Sequence, residues 1–600
     1  MIQGKFYAQK AGFKWGLPCN ALYVYDTIYI TRLCLCRQLR QAHFEIRRWS
    51  DTMDYNLLAE KLFPHITKTP EDILAQYPAR QLPEGAKVTR MGPSPTGFMH
   101  LGNLFGAIAD ERLAHQSGGV FYLRIEDTDQ KREVPGAVET ILQVFSDYEL
   151  PFDEGATVDG DNGLYGPYRQ RQRAQIYQTY AKWLVRQGKA YPCFCTEDEL
   201  AAIREKQAER KENFGYYGKW AVYRDMPFDE VRGKLEAGEP FVLRFRSEGD
   251  PARRVKFTDL VKGTMELPEN DQDVVLLKSD GIPTYHFAHV VDDHLMGTTH
   301  VVRGEEWLAT LPIHIQLFAA MGWRMPKYVH TAQLMKLDNG NKRKLSKRKD
   351  PELALDFYQR QGYCVAAVKE YLLTLLNSNF EDWRLANPEA PLDQFAFNTK
   401  KMGVSGALFD MEKLDDVSKN VISRMTADEV YTHLTDWARR YDPDFCALLE
   451  RDPAYSKAIL SIGRGGKKPR KDITVWSGAK EYLSFFFDEL FKPDLTYPEH
   501  VTAADAKKLL TDYQTMYDPA DDGGTWFERV KTLAESVGYA TNMKEYKKDP
   551  AAWPGNVADA SMVLRVAVTG RQNSPDLCEV MKLLGPARSI ERLRLAAEKL

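Results

Sequence analysis

Two stretches of this chain carry residue types suited to phosphate chemistry. The first is Val88-Thr89-Arg90-Met91-Gly92-Pro93-Ser94-Pro95-Thr96-Gly97-Phe98-Met99-His100-Leu101-Gly102-Asn103. The second, about 240 residues later, is Lys344-Leu345-Ser346-Lys347-Arg348. Glycines allow a backbone to approach a nucleotide closely, and a helix N-terminus favours anions. Lysines and a serine hydroxyl suit charge that develops on a reacting phosphoryl group. Singly, each stretch has a plainer reading: His100 as a residue at a helix start, and Asn341-Lys342-Arg343-Lys344 as a solvated basic loop.

The elements needed to position the first stretch are legible beside it. Leu101, Leu104, Phe105, Ile108 and Leu113 follow helical spacing, and Ser117-Gly118-Gly119 stops the helix. Val120 to Ile125 is an apolar run broken only by Arg124, as in a strand buried on both faces. Val138, Ile141, Leu142 and Phe145 mark a second amphipathic helix. Strand, helix, strand, helix is the pattern of a parallel α/β sheet, in which ligands sit beyond the carboxyl ends of the strands.

The 600 residues are 44% hydrophobic, enough for several buried cores, and length suggests three to five domains. No apolar stretch reaches the roughly 18 residues of a membrane span. Eight cysteines without a regular framework favour a reducing cytoplasm over secretion. A net charge of −3 does not exclude nucleic acid, since binding depends on local basic patches.

In their order and separation the two stretches resemble the ATP-binding signatures of class I aminoacyl-tRNA synthetases. Further motifs narrow the resemblance to bacterial-type glutamyl-tRNA synthetases: Arg-Ile-Glu-Asp-Thr-Asp at 124–129, Gly-Pro-Tyr-Arg-Gln at 166–170, Pro-Thr-Tyr-His-Phe-Ala-His-Val-Val-Asp-Asp-His-Leu-Met-Gly at 283–297, and Val-Arg-Gly-Glu-Glu-Trp at 302–307. The resemblance runs from Val88 to the C-terminus and is looser after residue 400. It implies an α/β Rossmann-like catalytic domain (88–169 and 285–306) with an inserted acceptor-binding domain (170–284). A stem-contact region holding the Lys-Leu-Ser-Lys-Arg loop (307–415) and a mainly α-helical anticodon-binding region (416–600) follow.

The implied reaction is attack of the glutamate α-carboxylate on the α-phosphorus of ATP, with Mg²⁺, and then transfer of the glutamyl group to the terminal ribose of tRNA-Glu. Whether tRNA-Gln is also charged stays open. The implied protein is a cytoplasmic monomer with no membrane attachment. The first step needs no protein nucleophile, only positioning and cations. By resemblance, His100, Lys344, Ser346 and Lys347 act in catalysis. Thr96, Gly97, His100, Gly102, Trp307, Lys344, Leu345 and Lys347 contact ATP. Arg90 and Arg303 face the substrate's side-chain carboxylate, Glu126 accepts from its ammonium, Ser94 donates to its α-carboxylate, and Tyr285 closes the pocket. Trp307 has a second reading as a core tryptophan. Arg124 is expected in a surface salt bridge.

Within the insertion, Cys193-Phe194-Cys195 is similar to a zinc half-site of some relatives. The second half is missing: Tyr216-Tyr217-Gly218-Lys219-Trp220 puts Trp220 at the expected cysteine. Structural zinc takes four ligands, so no metal is expected.

After the basic loop, helices are expected over 353–363, 366–376, 427–440, 560–568 and 590–600, with few strands. This distinguishes the chain from glutaminyl-tRNA synthetases, which would require a β-barrel. Arg464, Lys467, Lys468, Arg470 and Lys471 crowd a Gly/Pro loop that either grips tRNA or is a solvated insertion; both readings stand. Leu414 to Asn420 departs from the family's aromatic and Asn pattern. A non-charging RNA-binding paralogue is the main alternative. An enzyme that glutamylates a modified tRNA base would lack the helical half, and a small-cofactor adenylyltransferase would not need it.

Residues 53–87 read as an N-terminal extension. Residues 1–52 differ from the rest, with eight Lys/Arg against three Asp/Glu and three of the eight cysteines. They read as a poorly ordered extension, a small added module, or the product of a misplaced start upstream of Met53. A chain beginning at Met53 is expected to charge tRNA as well as the longer one.

Overall fold

A computed structural model describes residues 53–346 and 348–600. The expectations for residues 1–52 and for Lys347 therefore lie outside the described residues. The chain forms two units.

The first unit contains 53–75, Ala174–Pro251 and Asn270–Phe287. An antiparallel sheet joins Ala190–Cys193, Val242–Phe245 and Val275–Leu277. Helix Tyr55–Leu62, capped by Asp54, is fastened to helix Ala174–Arg186. The Lys182 ammonium donates to Glu60 at 2.8 Å and to the carbonyls of Phe63 and Ile66. That lysine ties down the carbonyls that follow the end of the short helix.

The second unit holds the parallel sheet. Strand β1 (Val88–Met91) leads through the glycine-rich turn into helix α1 (Leu101–His115), then β2 (Val120–Leu123), helix α2 (Ala137–Asp147) and β3 (Glu154–Ala156). Strands β1, β2 and β3 pair in parallel. The five apolar positions read as one helical face in 101–113 are all buried. A hairpin follows, β4 (Arg254–Asp259) with β5 (Gly263–Pro268). Helix α3 (Tyr285–Leu295) belongs to this unit from Ala288 onward. Then β6 (His300–Gly304), α4 (Leu311–Met321) and β7 (Lys327–Thr331) make a second parallel strand–helix–strand. Thr299, just before β6, bonds Val88 in both directions, so β6 starts beside β1.

The structure draws its boundaries differently from the sequence. Residues 53–75 belong with the inserted segment, and 252–269 lie outside it, in the second unit. The hairpin is held there by its inward face. Phe257 packs with Val301, Leu311 and Tyr328, and the Leu260 amide donates to the Tyr328 carbonyl at 3.0 Å.

The remaining chain is helical, with Leu355–Gln361, Val365–Leu376, Ala427–Tyr441 and Val557–Thr569 close to the expected spans. The last helix is longer than expected, Leu577–Glu598, and is broken at Gly585 (φ 81°) ahead of Pro586, which has no N–H to continue the ladder. No described helix is long and apolar enough to cross a membrane.

Candidate active site

Arg90 points from β1 into a buried network of ions. Its Nε lies 3.4 Å from Asp293 Oδ2, and Nη1 donates to the Val302 carbonyl at 3.4 Å. The other Asp293 oxygen accepts from Arg124 Nη1 at 2.6 Å, and Arg124 Nη2 reaches Glu126 Oε1 at 3.0 Å. Arg124 thus links Glu126 to the aspartate beside Arg90. Asp292, the next residue on α3, accepts from Arg173 Nε at 2.7 Å and Gln170 at 2.9 Å. The expectation of a surface salt bridge for Arg124 is corrected: its side chain is fully buried. A charge inside an apolar run reads as exposed only when its partners, 169 residues away in the chain, are unknown.

Electrostatics divide the carboxylates of this network. Burial opposes ionisation of Asp293, but Arg124 and then Arg90 outweigh it and hold its carboxyl well below the usual range. Burial dominates at Glu126 and raises its pKa despite the same two arginines. Glu126 is therefore a carboxylate short of positive partners, suited to an ammonium ligand. Gly92 is needed next to it, since a Cβ there would stand 2.5 Å from Glu126 Oε1.

His100 forms the N-cap position of α1 and its backbone N–H is held by Asn103 Oδ1 at 3.0 Å. A Cβ on residue 102 would lie 3.1 Å from the His100 ring, a tight contact that the ring would have to relieve. Ser94 is exposed on the turn, and Thr96 and Gly97 are half-buried. A β-bridge pairs His100 with Ala354, so the glycine-rich turn and the chain just past the basic loop meet although distant in sequence.

The basic loop is a hairpin of β8 (Leu334–Asp338) and β9 (Asn341–Lys344). Lys344 is exposed at the end of β9, Leu345 is buried, and the Ser346 N–H donates to Asp350 Oδ2 at 2.8 Å. Arg343 clamps Asp350 through both terminal nitrogens (2.6 and 2.8 Å) and, with the Ser346 amide, draws the Asp350 carboxyl down to about 2. Arg343 is thus a brace for the loop, while Lys342, Lys344, Arg348 and Lys349 are exposed.

Arg303 stands on β6, buried, with Trp307 half-buried one turn beyond; the Trp307 carbonyl accepts from Thr310. Tyr285 begins α3 within the first unit, its ring 5.7 Å from that of His286. The structure thus brings Arg90 and Arg303, on neighbouring strands, and Glu126, just beyond the end of β2, into one unit. Sequence reasoning missed Asp292 and Asp293, although two acids in an otherwise apolar helical run were a usable signal. It also missed Asp259, His314 and His330, which carried none.

At the Cys193–Cys195 half-site the side chains have protein partners. Cys193 Sγ donates to the Tyr216 hydroxyl at 3.4 Å, and Arg244 covers the Tyr216 ring at 4.0 Å. Burial and the neighbouring Cys193 push the Cys195 thiol up to about 12. Trp220 donates to Glu212 at 2.7 Å. Metal analysis of the purified protein is expected to find no stoichiometric zinc. One equivalent surviving dialysis would show that this site has further ligands.

In the helical half, two of the five cations on the 464–471 loop are committed. Arg464 donates to the carbonyls of Leu460 (2.8 Å) and Ile422 (2.6 Å), finishing two helices. Arg470 is paired with Asp472. Lys467, Lys468 and Lys471 are the other cations of this loop. Two of these, Lys467 and Lys471, border a cavity of about 640 Å³ shared with Arg384, Lys413 and Arg424.

A parallel sheet whose first strand runs through a His-x-Gly turn, bridged to the chain just past a basic hairpin and followed by a helical half, defines a class I aminoacyl-tRNA synthetase. Residues 87–416 match the model of the class I tRNA synthetase catalytic domain (E and Q), and 555–597 match an anticodon binding domain. The chain belongs to the glutamate–tRNA ligases. That of Acetivibrio thermocellus is 54% identical over 545 residues, 90% of this chain and 100% of its own. That of Clostridium perfringens strain 13 is 48% identical over 546 residues, again 90% of this chain and 100% of its own. The crystal structure of a glutamate tRNA ligase from Elizabethkingia meningosepticum, in complex with its amino acid, is similar at a TM-score of 0.68 and 27% identity, covering 86% of this chain and 99% of the other.

Proposed function

We propose that this chain ligates L-glutamate to tRNA-Glu through a glutamyl adenylate, using ATP with Mg²⁺, as a cytoplasmic monomer. The observation that carries the amino-acid choice is Arg303. It is buried, and among the described residues no carboxylate lies within ion-pair distance of it. A buried cation without an acid partner is costly, and a substrate carboxylate removes that cost. Arg90, by contrast, already has Asp293. Arg303 therefore takes the larger share of the substrate's side-chain charge, with Arg90 beside it. Glu126 accepts the ammonium, and Ser94 donates to the α-carboxylate.

ATP lies along Thr96, Gly97 and Gly102, with Leu345 and Trp307 also part of its site. His100, Lys344, Ser346 and Lys347 meet its phosphates, and Mg²⁺ travels with those phosphates. The pentavalent phosphorus gains negative charge as the α-carboxylate attacks, and fixed cations lower its energy without reorganising. Lys467, Lys468 and Lys471 contact tRNA backbone.

The test is charging of tRNA-Glu and tRNA-Gln transcripts with labelled glutamate. Charging of neither would leave the paralogue reading; charging of both would add tRNA-Gln to the substrates. Within this scheme Lys347→Ala is expected to slow activation by about 10²–10³-fold, the usual loss for one transition-state contact, with tRNA affinity nearly unchanged. A loss under about tenfold would remove this loop from the transition state.

A further inference from the structure

Arg303 is surrounded by neutral groups. Its Nε donates to Nε2 of His330 at 3.0 Å, and Nη1 to Nδ1 of His314 at 3.2 Å. Nη2 reaches the Trp307 carbonyl at 3.5 Å, and the guanidinium lies 4.7 Å from the centroid of the Tyr328 ring. Arginine only donates, so it dictates the protonation of what it touches. Nε2 of His330 must be bare, and its proton must sit on Nδ1. There Asp259 Oδ2 receives it at 2.7 Å. Asp259 is itself fixed by the backbone amides of Val261 (2.9 Å), Lys262 (2.8 Å) and His330 (3.2 Å). Asp259 and His330 are both buried. Burial, followed by the charges of Arg303 and Lys262, lowers the His330 pKa against the pull of Asp259, in keeping with a neutral ring.

We propose that His330, oriented by Asp259, is the positioning residue for Arg303 and so a determinant of selectivity for glutamate over glutamine. The proposal rests on the reading that Arg303 binds the substrate's side-chain carboxylate. An acid in place of His330 would hold the guanidinium equally well but would neutralise it, and glutamine would then fit as readily. An imidazole accepts one N–H, fixes the plane of the guanidinium and leaves its charge for the substrate. Only one tautomer does this, and Asp259 selects it, as carboxylates commonly orient functional imidazoles. Asp259 comes from the β4–β5 hairpin, which gives that hairpin a task in the glutamate site.

The experiment is steady-state aminoacylation by the full chain carrying His330→Leu, His330→Gln or Asp259→Asn, with wild type and Arg303→Leu as references. His330→Leu is expected to raise KM for glutamate about 10–100-fold, the loss of one hydrogen bond to a charged group, and to reduce discrimination against glutamine. KM for ATP and for tRNA should stay within about twofold, a change below what one lost hydrogen bond causes. His330→Gln should remain within about threefold of wild type, since an amide oxygen can accept from Arg303 while its nitrogen donates to Asp259. Asp259→Asn is nearly isosteric and guards against a folding artefact. Its NH₂ can donate to Nδ1, moving the ring proton to Nε2 and against Arg303, so KM for glutamate rises again. Equal losses in every kinetic constant, or a Gln variant as impaired as the Leu variant, would overturn the proposal. Wild type that charges, Arg303→Leu that does not use glutamate, and His330 and Asp259 variants like wild type would remove the positioning role alone. Wild type that fails to charge would remove both it and the reading on which it rests.

Discussion

An Arg303→Leu enzyme is expected to lose about 10³-fold in kcat/KM for glutamate while melting within a few degrees of wild type. Glutamate would then bury its carboxylate against an apolar side chain and two histidines, and leaving such a charge unpaired costs about 3–5 kcal/mol. The fold tolerates the change because, among the described residues, the guanidinium has no acid to abandon. Its neighbours are imidazole nitrogens, a carbonyl and a ring, and unpaired neutral acceptors cost only about 1–3 kcal/mol. The measurement is charging at varied glutamate, with a melting curve for each protein. A loss below about tenfold would place the side-chain carboxylate elsewhere, since a hydrogen bond to a charged group is worth more.

Arg124→Leu is expected to show the reverse balance, with stability as the first casualty. Arg124 sits between Asp293 and Glu126 and 3.7 Å from Asp292, all in the interior. Removing it abandons buried negative charge, at roughly 3–5 kcal/mol, and the second unit should melt markedly earlier. The sign of the pH dependence follows from Asp293. Its folded pKa is depressed, so its contribution is present above the unfolded value near 4 and is lost as pH falls toward the folded one. The wild-type advantage over the variant should therefore persist at neutral pH and shrink in acid. Thermal melts of both proteins across pH would show it, and identical melting at neutral pH would mean that the network adds nothing.

Local features were open to reading from the chain. The face formed by Leu101, Leu104, Phe105, Ile108 and Leu113 is a matter of spacing, and it is buried as spacing requires. The turn, the basic loop and the helical half carried their own residue signals. What stayed hidden was partnership. Arg124 finds Asp293 across 169 residues, and Asp259 finds His330 across 71. Nothing local marks either pair, because an ion pair depends on which chain segments the fold brings together. The hairpin at 254–268 was read as part of the insertion for the same reason: its alternation fits any sheet surface, and only Phe257 packing on Tyr328 decides which.

The bond between Val88 and Thr299 has a consequence for synthesis of the chain. Strand β1 leaves the ribosome early, but the residue that covers its edge lies 211 residues later. At the usual 5–20 residues per second, that interval is on the order of 10–40 s. Throughout it, one side of β1 exposes unpaired amides and carbonyls to any other extended segment nearby. The half-made chain is thus a natural client for a chaperone until β6 emerges, and the order of translation, more than the strength of any contact, sets when the sheet can close.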